Sequence, residues 1–581
     1  MSSLSDKRHT LAHLLAAAIL KHYPDAKRTI GPAIDTGFYF DFEFPTEKPG
    51  DADLEKIEAT MRELLPSWTS FEHKEVSPAE AKEFYNDNPY KIELIEEFSG
   101  EGQTLTFYTI AGYPDLCRGG HSENPAKEIS PDSFKLERIA GAYWRGDEKN
   151  AMLTRIYGLA FDTKEELDAH VLQQEEARKR DHRKIGKELR LFTFSELVGP
   201  GLPLWTPRGT LIREELDTFV WELRKQKGYQ KVTIPHITKK DLYEKSGHWA
   251  KYGDDLFRIK TREDNEYAMK PMNCPHHSQI YVSEPRSYRS MPQRYAETTM
   301  VYRDEQSGEL SGLTRVLSIT QDDAHVFCRE NQIEQEVYAI WDIIDTFYGA
   351  FGFSLTPRFS RHDPDNAEKY LGSPDVWKKA EAAMLSLIQK RGAGEFIDGM
   401  GEAAIYGPKI DFIAKDAIGR THQVATIQLD FIQPENFDLV CTNEKGEKER
   451  VVMIHAAIMG SIERFSAVLL EHTAGILPLW LSPEQVRVLP VSEKFAVYAQ
   501  EDAEALKTHK VRVELDLDSE SLGKKIRSAK QDKVPYVVIV GEKEVESNTI
   551  TVEGRAGKLE INTLEAFADK LVADIKSRTL E

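Results

Sequence analysis

A predicted hairpin near the middle of the chain carries two arginines, and the rest of the fold is best understood from it. It reads Met300-Val301-Tyr302-Arg303-Asp304-Glu305, continues through a loop over residues 306–312, and returns as Leu313-Thr314-Arg315-Val316-Leu317-Ser318-Ile319-Thr320-Gln321-Asp322-Asp323-Ala324-His325. We interpret residues 302–305 as the end of one strand and the loop, which contains two glycines and two serines, as a tight reversal. The return strand is predicted to begin with Arg315.

Two arginines on paired strands predict a site for phosphate or carboxylate oxygens, because each guanidinium presents a bidentate set of donors. Glu305 can accept a hydrogen bond from an amine, such as the exocyclic amine of adenine. The alternative is a hairpin whose charges form solvated ion pairs that contribute little. The hairpin by itself leaves both interpretations open.

The bulk properties of the chain predict a water-soluble protein with several domains. The chain has 581 residues, 40% of them hydrophobic and 30% charged, which is enough material for more than one core. It contains no apolar run of about eighteen residues and no signal peptide, so we expect a cytoplasmic protein with no membrane partner. Its four cysteines are scattered, which argues against a disulfide scaffold.

The net charge of −20 argues against a nucleic-acid partner when the chain is considered as a whole. Phosphate binding, however, depends on local charge rather than on the sum. A basic stripe runs through a helix-compatible segment and contains Arg178, Lys179, Arg180, Arg183, Lys184, Lys187 and Arg190. A solvated helix face is the alternative interpretation of this stripe.

Three segments together resemble a known family. The order Tyr-Arg-x-Glu, loop, Arg resembles motif 2 of the class II aminoacyl-tRNA synthetases. Residues 227–235 resemble motif 1, a helix-to-strand element that ends in proline, and residues 458–465 resemble motif 3, a strand and helix that present Arg464. Each motif is weak alone, but three in the right order and spacing are strong.

The resemblance implies an ATP site with Mg²⁺ on the pyrophosphate. It assigns Arg303 to the α-phosphate and the amino acid carboxylate, Arg315 to the γ-phosphate, Glu305 to the adenine amine and Arg464 to the face of adenine. It also assigns Gln423 and Thr426 to the nucleotide.

Two pairs of potential metal ligands lie in the N-terminal part of the chain. His9 and His13 are four residues apart in an Ala- and Leu-rich segment that is predicted to be helical over 9–23. Cys117 and His121 have the same spacing. Four such side chains could hold zinc tetrahedrally or form a metal-free polar pocket, and the spacing does not choose between these.

Residues 1–162 resemble the editing domain of the threonyl branch of the family, in which this pocket hydrolyses seryl-tRNA and usually has no catalytic metal. The resemblance begins at this domain, so the ubiquitin-like N-terminal domain of many bacterial members is expected to be missing. His9 and Lys91 match residues that place the attacking water. The complete set of matching pocket residues is His9, His13, Tyr39, Lys91, Cys117, His121 and Asp115.

The same resemblance implies one zinc ion per subunit in the catalytic domain. Cys274, His325 and His455 match the zinc ligands of the threonyl branch, although their distance in sequence gives no spacing signature. Three protein ligands leave one coordination position open, as in sites that work on a substrate. The residue after the Cys-Pro pair, usually glycine, is His276 in this chain.

Other matching positions line the expected active site. Those assigned to L-threonine are Asp323, Tyr406, Gln321, Met272 and Ser461, and those assigned to catalysis, besides Arg303, are Gln428, His248 and Lys409. Motif 2 normally has phenylalanine four residues after its second arginine, where this chain has Ile319. That departure removes one aromatic face from the expected adenine site.

The C-terminal part alternates short β-branched runs with helical segments, which predicts a small α/β domain with a mixed or parallel sheet. It resembles the anticodon-binding domain of class IIa synthetases, with Arg527 and Glu544 at anticodon-contact positions. We therefore predict a multidomain α+β and α/β protein. Its parts are an editing domain over 1–162, a linker helix over 163–190, a class II catalytic domain with an antiparallel sheet over 191–480 and an anticodon-binding domain over 481–581.

The resemblance covers essentially the whole chain and implies a homodimeric ligase that joins L-threonine to tRNA(Thr) with ATP and clears seryl-tRNA(Thr). Two alternatives are kept. One is a catalytically inactive class II paralogue with a binding or regulatory role. The other is a class IIa enzyme for a different amino acid, such as proline or serine.

Overall fold

The computed structural model describes residues 2–392, 394–578 and 580. The chain divides into two compact units, residues 1–175 and residues 176–581. No helix among the described residues is both long and apolar enough to cross a membrane. Single 3₁₀ turns occur at Asp51–Asp53, Leu65–Ser67, Trp144–Gly146, Tyr288–Ser290, Ser307–Glu309, Glu330–Gln332, Pro364–Lys369, Leu479–Leu481 and Glu493–Phe495.

The first unit packs helices against two small antiparallel sheets. Its helices are α1 Leu4–His22, α2 Leu54–Leu64, α3 Pro78–Phe84, α4 Pro89–Gly100, α5 Pro125–Glu128 and α6 Lys164–Lys179, the last of which crosses the unit boundary. Its strands are β1 Lys27–Arg28, β2 Ala33–Ile34, β3 Gly37–Glu43, β4 Glu72–Glu75, β5 Thr106–Ile110, β6 Tyr113–Leu116, β7 Phe134–Tyr143 and β8 Met152–Ala160. One sheet has the order β1-β3-β8-β7 with β2 on β3, and the other has the order β4-β5-β6.

Helix α1 is fixed by a capping box, in which Ser3 and Asp6 satisfy each other's backbone N–H groups. One face of the helix packs Leu11 and Leu15 against Phe38 and Phe40 of β3 in the core of the unit. This packing fixes the helix that carries His9 and His13.

The second unit begins with elements that surround one large sheet. Its helices up to residue 472 are α7 His182–Glu188, α8 Pro207–Gln226, α9 Lys240–Lys245, α10 His248–Lys251, α11 Cys274–Val282, α12 Ile333–Gly349, α13 Pro374–Lys390, α14 Ile432–Asn436 and α15 Ile462–His472. Its strands over the same range are β9 Phe192–Thr193, β10 Leu204–Trp205, β11 Gln230–Lys231, β12 Ile237–Lys239, β13 Arg258–Lys260, β14 Glu266–Met269, β15 Gln293–Tyr302, β16 Ser318–Cys328, β17 Ser354–Arg361, β18 Ile397–Met400, β19 Lys409–Lys415, β20 Thr421–Asp430, β21 Val440–Thr442, β22 Lys448–Arg450 and β23 Val452–Ala457.

The large sheet has eight strands in the order β11-β15-β16-β23-β20-β19-β17-β18. All pairings from β15 to β17 are antiparallel, and the short edge strands β11 and β18 pair in parallel. One face of the sheet packs Ala324, Ile454 and Ile427 against α8, α12 and α15 in the main core. Because side chains alternate along a strand, the residues between these point to the opposite face.

The C-terminal part of this unit is a mixed α/β layer. It contains β24 Val486–Pro490, β25 Val513–Leu515, β26 Tyr536–Val540, β27 Thr551–Gly554, β28 Gly557–Lys558, α16 Ala496–Thr508, α17 Leu522–Gln531, α18 Glu542–Ser547 and α19 Leu564–Ser577. The strand order is β25-β24-β26-β27-β28, with the first three strands parallel and the last two antiparallel. The predicted mixed sheet is thus present.

Several predicted elements differ from the structure. Helix α1 begins at Leu4 rather than at residue 9, and β15 ends at Tyr302 rather than at residue 305. The linker over 163–190 is two helices rather than one, because Asp181 turns its carboxylate to the N–H of Arg183 and starts α7 anew. Arg315 precedes the return strand, which begins at Ser318, because the loop residues Ser311 and Arg315 pair with each other first. Strand β19 begins only at Lys409, since Ala404 and Gly407 before it form a tight bridged turn.

Candidate functional site

The open face of the large sheet carries one row of polar side chains across four strands. His325 on β16 pairs with His455 on β23, His455 pairs with Gln428 on β20, and Gln428 pairs with Lys409 on β19. The next row places Asp323 opposite Ala457, which in turn pairs with Thr426. Strand pairing therefore brings together side chains that are far apart in sequence.

A cavity of about 790 Å³ lies over this face. All of the residues predicted for the nucleotide, the amino acid and the metal line it, together with the predicted catalytic residue Gln428. They are Arg303, Glu305, Arg315, Gln423, Thr426, Arg464, Met272, Gln321, Asp323, Tyr406, Gln428, Ser461, Cys274, His325 and His455. Ile319 also lines the cavity and is half-buried.

Cys274, His325 and His455 form a buried cluster at one end of this cavity. One potential ligand atom from each residue lies within 4.8 Å of those of the other two. Nδ1 of His325 lies 2.7 Å from Nδ1 of His277, and Nε2 of His455 lies 2.9 Å from the Asp430 carboxylate. The remaining nitrogens, Nε2 of His325 and Nδ1 of His455, face each other at 3.1 Å.

This arrangement fits a zinc ion. Metal-binding histidines normally have the second ring nitrogen held by another group, which fixes the orientation of the ring. His277 and Asp430 occupy those outer positions here, and the thiol and two imidazoles are the ligand types that zinc prefers.

The opposite end of the cavity is suited to anions. Among the described residues, neither Arg303 nor Arg464 has an acidic partner within salt-bridge distance. Arg315 lies 2.5 Å from Glu305 and 3.1 Å from Glu309, so the arginine and the glutamate predicted to hold different parts of ATP are paired with each other. Two unpaired guanidiniums in a cavity wall form a binding site for phosphate oxygens.

Between the two ends, polar side chains are held in fixed orientations. The Asn273 amide donates to the Asp323 carboxylate at 2.9 Å, and the Tyr406 hydroxyl donates to the Gln428 side-chain oxygen at 2.6 Å. The Tyr406 ring also stacks on His455 at 4.6 Å between centroids. The residues predicted to meet the amino acid are thereby positioned beside the metal cluster.

Two predicted catalytic residues do not line the cavity. His248 is fully buried, with its Nδ1 2.7 Å from the Ser246 hydroxyl, and burial lowers its pKa to about 3. The Lys409 ammonium lies 3.1 Å from the buried carboxylate of Asp411, which holds it at the sheet face.

The first unit contains a second cluster, formed by His9, His13, Cys117 and His121, whose potential ligand atoms lie within 4.8 Å of one another. The Cys117 sulfur is 3.5 Å from Nε2 of His9 and 3.4 Å from Nε2 of His121. Nδ1 of His9 lies 3.1 Å from the Gly120 carbonyl oxygen and donates to it, so its Nε2 is the nitrogen left for other chemistry.

Charges in this pocket reinforce one another. Burial opposes ionisation of Cys117, but the three surrounding histidines lower the pKa of its thiol to about 3. Burial likewise favours neutral His13, but Asp115 and Cys117 raise its pKa to about 9. Asp115 is buried, lies 3.3 Å from His13 and 2.8 Å from the Lys91 ammonium, and its pKa falls well below the usual value, against burial, because of Lys91 and Arg28. The pocket therefore combines a thiolate with imidazole groups.

Tyr39 lies on β3 but has no hydrogen bond or ring contact with the histidine cluster among the described residues. Its ring packs under the Arg155 guanidinium at 3.8 Å and beside Tyr157. In the C-terminal part, Arg527 is exposed on α17. The Glu544 carboxylate instead accepts from the Gly541 N–H and the Thr551 hydroxyl, so it stabilises its own helix start.

Sequence reasoning missed Asn273, His277 and Asp430, which orient the predicted residues. Asp430 lies two residues after Gln428. Because side chains alternate along a strand, both residues are on the same strand face, so strand periodicity could have identified Asp430 as a residue of the site. Asn273 directly precedes Cys274 and His277 follows it by three residues, and no spacing pattern marks either as an orienting side chain.

Comparisons with known families agree with this geometry. Residues 257–473 match the model of the tRNA synthetase class II core domain (G, H, P, S and T), and residues 485–576 match that of the anticodon binding domain. A solved structure, the RNA binding domain of threonyl-tRNA synthetase from Cryptosporidium parvum, covers 69% of this chain and 99% of its own, with a TM-score of 0.65 and 37% identity.

Two relatives are similar to this chain over nearly its whole length. A threonine--tRNA ligase from Flavobacterium psychrophilum is 46% identical over 99% of this chain and 88% of its own length. Another from Porphyromonas gingivalis is 48% identical over 98% of this chain and 88% of its own length. With the class II core, the anticodon-binding domain and these relatives in place, the chain belongs to the threonyl-tRNA synthetase family, the threonine--tRNA ligases.

Proposed function

We propose that this chain attaches L-threonine to tRNA(Thr) through a threonyl-adenylate formed from ATP, and that it hydrolyses mischarged seryl-tRNA(Thr). The synthetic activity is supported by a single observation. One cavity has a Cys-His-His cluster at one end and two arginines without acidic partners at the other. The amino acid belongs at the first end and the triphosphate at the second.

In the activation step, the threonine carboxylate attacks the α-phosphorus of ATP and pyrophosphate leaves. Arg303 stabilises the charge that builds on the α-phosphate and the carboxylate, because it lines the cavity and has no acidic partner among the described residues. Arg464 covers one face of adenine as a cation–π partner. Gln423 and Thr426 bind the nucleotide, and Mg²⁺ accompanies the pyrophosphate oxygens.

Arg315 reaches the γ-phosphate only after it leaves Glu305 and Glu309. We propose that ATP replaces these carboxylates around the guanidinium, which frees Glu305 to accept from the adenine amine. Arg-to-phosphate and Arg-to-carboxylate pairs have similar geometry, so the exchange conserves the number of charge-assisted bonds.

We propose that Cys274, His325 and His455 hold one zinc ion per subunit. When bound, zinc would supply a Lewis acid for the amino group and the hydroxyl of threonine. Asp323, held by Asn273, accepts from the same hydroxyl, and Met272, Gln321, Tyr406 and Ser461 enclose the rest of the amino acid.

This site explains why two activities occur in one chain. Valine is isosteric with threonine, but it lacks the hydroxyl that would donate to the Asp323 oxygen not bonded by Asn273, a loss that discriminates strongly. Serine keeps the hydroxyl and lacks only one methyl group, which is worth about 1–3 kcal/mol. Serine therefore passes the first site often enough to require a second.

We propose that the pocket of His9, His13, Cys117 and His121 removes serine from tRNA(Thr), with His9 and Lys91 placing the attacking water. Nε2 of His9 is the basic nitrogen available to take a proton, since its Nδ1 is committed to Gly120. Whether a metal joins this pocket is tested by metal analysis of the whole chain, where one zinc supports a metal-free editing site and two would not.

We further propose that the domains extend over 1–162, 163–190, 191–480 and 481–581, with tRNA(Thr) contacting Arg527 in the last of these. We propose that the protein is cytoplasmic. We also propose that it is a homodimer, because the segment that resembles motif 1 places the short, exposed strand β11 at the edge of the large sheet. Sedimentation of the purified chain measures this, and a monomer at micromolar concentration would contradict it.

The decisive experiment is threonine-dependent exchange of pyrophosphate into ATP. Threonine should support exchange, and proline or serine at equal concentration should support it poorly or not at all. No exchange with any amino acid would favour an inactive paralogue, and exchange with proline or serine alone would favour another class IIa enzyme.

A further inference from the structure

We propose that His182, in α7 of the connector, is a positioning residue for the ATP end of the active site. It fixes the motif 2 loop and α15 with respect to each other through its two ring nitrogens. The inference rests on the proposed role of the cavity as an ATP site. It gives a function to a buried residue that lies between the basic residues of the stripe.

His182 differs from its neighbours in burial. Arg183, Lys184 and Lys187 are exposed, whereas His182 is 4% exposed. The three exposed residues fit a solvated helix face. The buried imidazole needs a separate explanation, since buried polar groups are retained with partners.

Both ring nitrogens of His182 have a partner. Nε2 accepts a hydrogen bond from the backbone N–H of Leu313 at 3.0 Å. Nδ1 lies 2.7 Å from the Glu471 carboxylate, which also accepts from the backbone N–H of His182 at 3.2 Å. Because Nε2 must accept, the proton belongs on Nδ1, and the neutral ring serves both partners at once.

The motif 2 loop is seated directly on this ring. A Cβ atom at Gly312 would come within 2.3 Å of Nε2 of His182, and Gly312 has a φ of +50°. Leu313, the next residue, is fully buried. Arg315 follows two residues later, so the ring fixes the backbone from which the proposed γ-phosphate ligand extends.

Glu471 extends the link to two further walls of the cavity. It lies in α15, seven residues after Arg464, which is about two helical turns and so the same side of the helix. Its second oxygen lies 2.7 Å from Arg420, in the turn that leads into His422 and Gln423 of β20. His182 is thus the point at which the loop, the motif 3 helix and this turn meet.

A metal site at the same place is the competing explanation, since Asp181, His182 and Glu471 could group around an ion. Asp181, however, is engaged by the Arg183 guanidinium and backbone, and no ring nitrogen of His182 is left over. The geometry therefore favours a hydrogen-bonded link.

The test compares His182→Ala, His182→Gln and His182→Asn with the parent chain. Glutamine places an acceptor near the position of Nε2, and asparagine places a donor near that of Nδ1, so the pair separates the two bonds. Glu188→Gln, an exposed change on the same helix, is the control. We measure KM for ATP and for threonine in pyrophosphate exchange, Kd for ATP by calorimetry, and the melting temperature.

We expect His182→Ala to raise KM and Kd for ATP about tenfold, the effect of losing roughly one hydrogen bond, with KM for threonine within about twofold of the parent. Glutamine should restore most of the ATP affinity and asparagine should not. Unchanged ATP affinity in His182→Ala overturns the inference, as does equal loss in the Gln and Asn variants accompanied by equal loss of melting temperature.

If the parent gave no threonine-dependent exchange, the proposed activity would fail rather than this inference. Calorimetric binding of ATP needs no threonine and still compares the four chains. In that case the link is still supported if His182→Gln binds ATP nearly as tightly as the parent and His182→Asn binds it more weakly. Equal Kd values for ATP in the parent and all three His182 variants refute it.

Discussion

Single residues of the active-site cavity are oriented by partners that face them across the sheet. His325 and His455 lie opposite each other on β16 and β23, and each has its outer ring nitrogen close to a second side chain. Such outer partners fix the ring orientation and normally matter for metal affinity. Cys274 completes the cluster from the start of α11.

Replacing Cys274 with serine should remove zinc and abolish threonine activation while the chain remains folded. A hydroxyl is a far weaker zinc ligand than a thiolate, and two imidazoles alone do not complete the site. Metal analysis should find about one zinc per chain in the parent and close to none in Cys274→Ser. Cys441→Ser, at another buried free cysteine, is the control that should keep its metal. Full activation by zinc-free protein would refute the assignment.

Ile319→Phe should lower KM for ATP about three- to fivefold and leave KM for threonine nearly unchanged. Ile319 lines the same cavity as Arg464, so a ring there adds the missing aromatic face, and base stacking is worth about 1–3 kcal/mol. Ile319→Leu, which conserves volume, is the control for simple packing change. A lower melting temperature without any gain in ATP affinity would mean that phenylalanine overpacks the site instead.

At the scale of elements, the sequence predicted what local patterns determine. The Ala- and Leu-rich run predicted α1 apart from its first five residues, and the alternation of β-branched and helical segments predicted the C-terminal α/β layer. The linker was wrong because one side chain, Asp181, starts a second helix. The order of strands could not be predicted, because pairing of β20 between β19 and β23 depends on contacts that are distant in sequence.

The candidate site divides in the same way. Arg303 and Glu305 belong to a compact motif, and residues 321, 323 and 325 alternate on one strand face, so pattern and resemblance were sufficient to propose them. The partners Asn273 and His277 act through side-chain geometry that no spacing encodes. The pairing of Arg315 with Glu305 depends on a loop conformation, which the sequence also leaves undetermined.

Helix α16 contains a buried carboxylate that should make stability depend on pH. Asp502 is 6% exposed, its Oδ2 has no hydrogen-bond partner, and burial, with a contribution from Glu501, raises its pKa to about 6. The folded chain then holds this proton more tightly than the unfolded chain, whose carboxyl has a pKa near 4. Asp502 therefore destabilises the fold above about pH 6, and this cost disappears as the pH falls toward 4.

Asp502→Asn should accordingly raise the melting temperature at pH 7.5 and change it little near pH 4. The expected gain in the free energy of unfolding at pH 7.5 is on the order of 2 kcal/mol, from a shift of about two pKa units. Asp569→Asn, the same change at an exposed position of α19, should have no such pH dependence. Equal melting curves for Asp502→Asn and the parent at both pH values would show that water or a counterion satisfies the carboxylate.

At the scale of the whole molecule, the two proposed chemistries lie in different compact units. The thiolate–imidazole pocket belongs to residues 1–175, and the zinc and ATP cavity belongs to residues 176–581. Because each cluster is built from contacts inside its own unit, removing one should leave the other intact.

His9→Ala combined with His13→Ala should leave threonine activation and threonylation unchanged but allow seryl-tRNA(Thr) to accumulate. The double change removes Nε2 of His9, which faces the Cys117 sulfur, and the positive charge of His13 beside the Cys117 thiolate. His22→Ala, on the same helix but bonded to Thr60, is the control. If the double variant clears seryl-tRNA(Thr) as fast as the parent, the pocket is not the editing site.

The row of paired residues across β16, β23, β20 and β19 also determines which genetic changes the protein can tolerate. Loss of one codon within β23 preserves the reading frame and nearly all of the amino acids, yet every side chain beyond the deletion turns to the other face of the sheet. The core residue Ile454 or Ala456 would then stand where His455 belongs. Insertions and deletions should therefore be found in the connecting loops and be purged from these four strands, even where point substitutions survive.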